Sequence, residues 1–181
     1  MNYIYRLLLT FNSTSLLLVV YAIKEQTVIN WVSIHPKLDF IPDSVSYCLF
    51  FLVPVLLTFL SLLLSRFLAN DNIENGKIEE VEQANNAFLP SYLGYFFVAL
   101  SVSSFETLWF IFAILFLFTF FSQTLYFNPL FLLFRYHFYY LTTTNRVKIF
   151  VITRKSLKSP SNIDLPKLKR INDFTFIDKE K

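Results

Sequence analysis

Apolar residues in this chain come in long, nearly unbroken runs rather than at alternate or every-third positions. A helix needs about 20 mostly apolar residues to cross some 30 Å of hydrocarbon, and four stretches suit it, at about 4–23, 45–64, 89–105 and 107–127. Pro54 lies mid-way in the second and should kink it, because its ring removes one helical hydrogen bond and crowds the carbonyl of Phe50. Pro90 suits the first turn of the third, and Asn128-Pro129 ends or bends the fourth. The last two fit only as a tight hairpin, which places Glu106 at the turn. The first run resembles a signal peptide, with Arg6 ahead of it and Val20-Tyr21-Ala22 near its end. The polar string from Thr10 to Ser15 breaks the required apolar core, so the run is taken as a retained span.

Between the spans the pattern changes. Residues 24–44 carry Trp31, Pro36, Phe40 and Pro42, a short structured cap with an interfacial aromatic anchor. Residues 66–87 contain a turn at Asn75-Gly76, after which Ile78, Val81, Asn85 and Phe88 share one helical face, with Glu79, Glu80 and Glu82 away from it. That spacing predicts an amphipathic helix leading into the third span. In the tail, 137–143 and 147–153 are rich in β-branched and aromatic residues around Thr144-Asn145-Arg146, which predicts a β-hairpin; 171–177 can add a third strand. So short a tail rarely folds alone, so it is expected to pack against copies of itself or a partner. The expected fold is membrane all-α: a four-transmembrane-helix bundle over 1–134 with a small C-terminal cytoplasmic β-rich element over 135–181.

Composition sharpens this. Of 181 residues 55% are apolar and only 16% charged, against about 25% charged in soluble domains. From Phe88 to Phe134 the single charge is Glu106. Eleven of the 16 basic residues lie at or after Arg135, with four acids, so that stretch is net +7 and the remainder net −4. With both termini inside, the cytoplasmic face collects 14 basic residues and the outer face only Lys24 and Lys37, the distribution that the positive-inside rule favours. Both termini are therefore expected in the cytoplasm.

Candidate chemistry is sparse. There is no GxSxG, HExxH, CxxC or phosphate loop, and the glycines number two. Cys48 stands alone in an apolar run, and His35 and His137 are far apart. No enzyme, no cofactor, no metal and no direct nucleic-acid contact is expected. Thr10, Asn12 and Thr14 form a polar stripe in the first span, and Asn12 near mid-membrane must find a hydrogen-bond partner. The stripe is either polar glue between helices or the lining of a pore. Ser91, Gly94, Ser101 and Ser104 give the third span a small-residue face, a helix-packing seam within one subunit or between subunits. The fourth span is crowded with Phe, which either faces lipid or fills the helix packing as ordinary bulk.

The stretch from Glu79 to Ser101 resembles KwaA, the membrane subunit of Kiwa anti-phage defence systems, through Ala84-Asn85-Asn86, Phe88-Leu89-Pro90 and the run from Tyr92 to Leu100. The resemblance implies an inner-membrane homo-oligomer, a tetramer being the assembly suggested. It also implies a cytosolic DNA-binding partner resembling KwaB and a role in relaying phage-induced envelope disturbance to it. The expected function is therefore a sensor and scaffold that docks this effector at its cytoplasmic face. Val147, Ile149 and Val151 of the hairpin and Glu79, Glu80 and Glu82 of the inner loop are the candidate docking residues. Membrane lipids are the remaining expected partner. The alternative function is a small oligomeric channel that depolarises the membrane.

Overall fold

A computed structural model describes residues 2–38, 40–122 and 128–179. Helix α1 spans Asn2–Lys24, a one-turn α2 spans Trp31–Ile34 and α3 spans Ser44–Leu64, followed by a 3-10 turn to Phe67. Pro54 lies inside α3 as expected. After two strands come α4, Leu89–Ser101, and α5, Phe105–Ser122, and then the single turn α6, Leu130–Leu133. Glu106 is exposed in the first turn of α5, at the α4–α5 bend. The end of the fourth expected span, 123–127, lies outside the described residues.

Four spans were expected; among the described residues three helices are long and apolar enough to cross a membrane: Tyr3–Lys24, Ser44–Phe67 and Phe105–Ser122. Helix α4 has 13 residues, which rise about 20 Å at 1.5 Å each, short of the ~30 Å hydrocarbon core. Its N-terminal turn meets α1 at mid-height, where Tyr92 packs on Leu16. Nor is the fold all-α with a small β appendage: six strands form one mixed sheet.

Strands β1 (Ala69–Ile73) and β2 (Ile78–Gln83) come from the loop between the second and third expected spans, β2 from the part expected to be a helix. Strands β3 (His137–Thr143), β4 (Lys148–Thr153), β5 (Leu165–Arg170) and β6 (Thr175–Asp178) come from the tail. The expected hairpin is β3–β4, with Tyr139 opposite Val151 and Leu141 opposite Ile149. The order is β1-β5-β6-β4-β3-β2, with only β4 and β6 parallel. Thus β1 and β2, neighbours in sequence, occupy opposite edges. Flat, those edges would stand about 24 Å apart at ~4.8 Å per strand, yet the chain from Ile73 to Ile78 reaches at most about 18 Å. The sheet therefore curls into an open barrel. Ile73 and Ile78, one from each edge, pack into the same inner core with Tyr139, Leu141, Ile149, Val151, Leu165 and Phe176. The tail is completed in cis by the inner loop rather than by a partner.

The inner-loop helix was a misreading with an identifiable cause. Ile78 pairs with Thr143 but Glu80 with Thr142, so a bulge absorbs one residue between them. A bulge puts positions three apart on one face of a strand, and Ile78 and Val81 both reach the barrel interior. Their spacing imitates a helix.

The outer face of the sheet is also apolar. Phe138, Phe150, Ile152 and Ile177 pack with Tyr5 and Leu9 of α1, Leu62 at the end of α3, Leu68, and Phe131 of α6. The ends of two long helices and the barrel thus share one core.

Candidate functional site

The polar string of α1 is wholly inside the protein, with Thr10, Asn12, Ser13, Thr14 and Ser15 all buried. Most of it is satisfied locally, as Ser and Thr hydroxyls in helices usually are. Thr10 Oγ1 donates to the Arg6 carbonyl at 2.9 Å, Ser13 Oγ and Thr14 Oγ1 to that of Thr10, and Ser15 Oγ to that of Asn12. Asn12 is different, because its amide finds its partners on α3 and at Asn128. Oriented so that donors meet acceptors, its Nδ2 donates to the Pro54 carbonyl at 3.0 Å and its Oδ1 accepts from Asn128 Nδ2 at 2.8 Å. The Thr58 hydroxyl lies 2.8 Å from the Asn12 amide, accepts from Asn128 Nδ2 at 3.2 Å, and donates to the Pro54 carbonyl at 2.8 Å. Asn128 Oδ1 in turn accepts from Leu130 N at 2.9 Å and so caps the turn into α6.

One node therefore ties α1, the middle of α3 around Pro54, and the segment entering the barrel. The Tyr92 hydroxyl adds α4 by donating to the Ser13 carbonyl at 2.8 Å. Thr58 and Asn128 were not among the sequence candidates. The available signal was Thr58 standing one turn after Pro54 in an otherwise apolar run.

The small-residue face of α4 points away from the chain's own core. Gly94 and Ser101 are exposed and Ser91 half-buried, whereas Ser104 lies beyond α4, exposed ahead of α5, where its Oγ accepts from Thr107 N at 3.2 Å; a Cβ added at Gly94 would meet nothing within 4 Å. Within the chain, α4 packs on α1 through Tyr92, Ala99 and Val102 instead. The seam is thus free for another copy. Gly94→Leu is expected to leave the monomer's stability unchanged and to weaken any oligomer held by this face. Cross-linking of membranes before extraction checks it, and an undiminished oligomer ladder would remove the face from the assembly.

At the barrel, Ile149 and Val151 lie in the interior whereas Val147, 41% exposed, stays at the surface. Glu79, Glu80 and Glu82 are exposed on β2 at the sheet edge. Glu82 pairs with Lys148 of the tail at 2.8 Å and Glu80 accepts from Thr142 Oγ1 at 3.3 Å. The Glu82 hydrogen bond pushes the Lys148 pKa up, and the ammonium also sits 4.4 Å from the Tyr140 ring centroid. Arg170 pairs with Asp71 of β1 at 2.8 Å. Acidic loop and basic tail thus meet across the sheet.

Helices of membrane-spanning length, pinned by a buried amide node and sharing a core with a small curled sheet, define a membrane-type helical body fused to a β-barrel domain. The relevant chemistry is packing and charge. A family model described as anti-phage protein KwaA matches residues 5–177, and the chain belongs to that family. No curated protein and no solved structure matches it.

Proposed function

We propose that this anti-phage protein is an inner-membrane sensor and scaffold, with both termini and the barrel in the cytoplasm. It assembles with copies of itself through the open face of α4 and docks a cytosolic DNA-binding effector, resembling KwaB, on the barrel. The observation that carries this is the core shared by Tyr5, Leu9 and Leu62 of the long helices and Phe138, Phe150 and Ile177 of the sheet. A shift of α1 against α3 in the bilayer cannot leave that core unchanged, because close-packed interiors transmit strain. The 14-to-2 division of basic residues supports the orientation. Arg6 Nη2 donates to the Phe120 carbonyl, and Lys24 Nζ to that of Val102. The start of α1 is thereby level with the end of α5, and both chain ends emerge on one side. A pore lined by Thr10, Asn12 and Thr14 is not favoured, since these residues are enclosed within a single chain.

The exposed carboxylates of β2 are the proposed docking site, because their row of negative charge suits a basic effector surface. Reversing two of those charges, Glu79→Lys with Glu80→Lys, is expected to abolish co-purification of the effector with membranes. Phage protection should fall with it while membrane insertion stays normal. Retained effector would move docking off β2, and an active periplasmic reporter fused after Lys181 would overturn the orientation.

A further inference from the structure

Four cations converge where the sheet meets the end of α3. Arg66 lies in the 3-10 turn that ends that helix. Lys169 of β5 donates to the Leu68 carbonyl at 3.1 Å and to Asn70 Oδ1. Lys179, just past β6, donates to the Leu62 carbonyl at 2.5 Å. Arg154, just past β4, lies 4.6 Å from the Tyr136 ring centroid. Among the described residues no carboxylate pairs with any of the four, and the nearby acids are engaged elsewhere: Asp71 with Arg170, Asp178 with Thr153. Burial, and then the charges of Arg154, Lys169 and Arg66, push the Lys179 pKa down. Such a group repels itself, and an anion would relieve it.

The second observation is an apolar groove of about 120 Å³ beside the cluster, lined by Ile4, Tyr5 and Leu8 of α1 and by Leu64, Phe67 and Leu68. Arg66 sits in sequence between two of those lining residues. Leu68 contributes its side chain to the groove and its carbonyl to Lys169, so groove and cations adjoin. Helices α1 and α3 place this junction at the edge of the bilayer.

We propose that cations and groove together form a binding site for one anionic phospholipid of the leaflet facing the barrel. Its phosphate would rest on Arg66, Lys169 and Lys179, and the first methylenes of an acyl chain would lie in the groove. Ammonium and guanidinium groups match a phosphate by charge and donor number, and the groove offers no polar lining that would suit a soluble ligand. The proposal rests on the reading that the helices lie in a membrane. It makes the barrel's seat on the helices depend on lipid charge at the point where the shared core begins.

The test is native mass spectrometry of the full chain in detergent, with phosphatidylglycerol, phosphatidylcholine or inorganic phosphate supplied separately. Wild type is expected to retain one phosphatidylglycerol and to discriminate against phosphatidylcholine. Removing three charges, R66Q/K169Q/K179Q, should weaken retention roughly a hundredfold, since each juxtamembrane cation contributes about a factor of five. Because Lys169 and Lys179 also hold backbone carbonyls, Arg66→Gln alone provides a second variant, with about a fivefold loss expected. Arg146→Gln, in the β3–β4 turn at the far end of that hairpin, should change nothing. Equal retention by the two lipids, or wild-type retention by Arg66→Gln, would overturn the site. Inorganic phosphate bound as tightly as the lipid would assign the cations to a soluble ligand and overturn the lipid assignment. A chain recovered outside the membrane fraction would sink the membrane reading itself, a result distinct from a membrane-embedded chain without lipid preference.

Discussion

Val151→Asp is expected to unfold the barrel while leaving the long helices folded. The side chain is 0% exposed, on the central β4, and packed among Tyr139, Leu165 and Phe176. A carboxylate there would lose its hydration without gaining a partner. Substitutions that bury an unpaired charge belong to the most damaging class, costing about 4–5 kcal/mol or more, against a stability of about 5–15 kcal/mol for a whole domain. The measurable outcome is rapid proteolysis within 137–179 with membrane insertion and helical content largely kept. Val147→Asp, two positions into the same hairpin's approach but exposed, should cost under about 0.5 kcal/mol as an ordinary surface change. If the effector docks near this hairpin, Val147→Asp releases it without proteolysis. The two substitutions therefore separate docking from folding. Stopping the chain after Thr144 cannot do so, because it removes three of six strands and leaves Ile78, Leu141 and the outer face of β3 uncovered. A resistant Val151→Asp barrel would mean that the inner core is wet or that the sheet is not closed around it.

Asn12→Leu should produce the second large effect, this time among the helices. It removes the group that joins the Pro54 carbonyl, the Thr58 hydroxyl and the Asn128 amide, and it leaves the Asn128 amide with Thr58 as its remaining partner in the node. Stranding a buried donor costs about 1–3 kcal/mol, although single interhelical hydrogen bonds in membranes measure about 0.6 kcal/mol on average. The extra bulk of Leu in a closed site adds an overpacking term of about 1–3 kcal/mol. A lower thermal midpoint in detergent is the expected result, together with loss of phage protection, because the node fixes the segment that enters the barrel. Combining Asn12→Leu with Thr58→Val should cost clearly less than the sum of the two, since members of one network couple. Strict additivity would show that Asn12 and Thr58 act independently and that no node exists.

How much of this was legible depended on whether the signal was local. Long apolar runs need no partner to be read, because hydrocarbon dictates helix for any backbone that crosses it. Residues 4–23 and 45–64 accordingly agree with α1 and α3, Pro54 included. Asn12 was also legible as a residue that requires a partner, since an unpaired amide at that depth is costly whatever surrounds it. The β3–β4 hairpin was marked by its own turn and β-branched residues. Even the position of Glu106 followed from its being the one charge in its run.

Tertiary structure alone decided the rest. Which groups satisfy Asn12 depends on bringing residues 58 and 128 beside residue 12, separations on which periodicity is silent. Helix α4 falls short of a full span because the inner half of its path is occupied by Phe88 and Leu130, packed on the same core as Leu16 and Tyr92. The 78–88 segment read as a helix because one bulged residue set Ile78 and Val81 three apart on one face, and Asn85 and Phe88, in the turn after β2, happened to continue the spacing. The tail looked too small to fold because its missing strands lie some sixty residues upstream, across the three helices α4, α5 and α6. A sequence states what each segment must bury and satisfy. Which distant segment meets that need is settled by the pairing of the tail strands between β1 and β2, and because only four residues link those two edges the sheet has to curl.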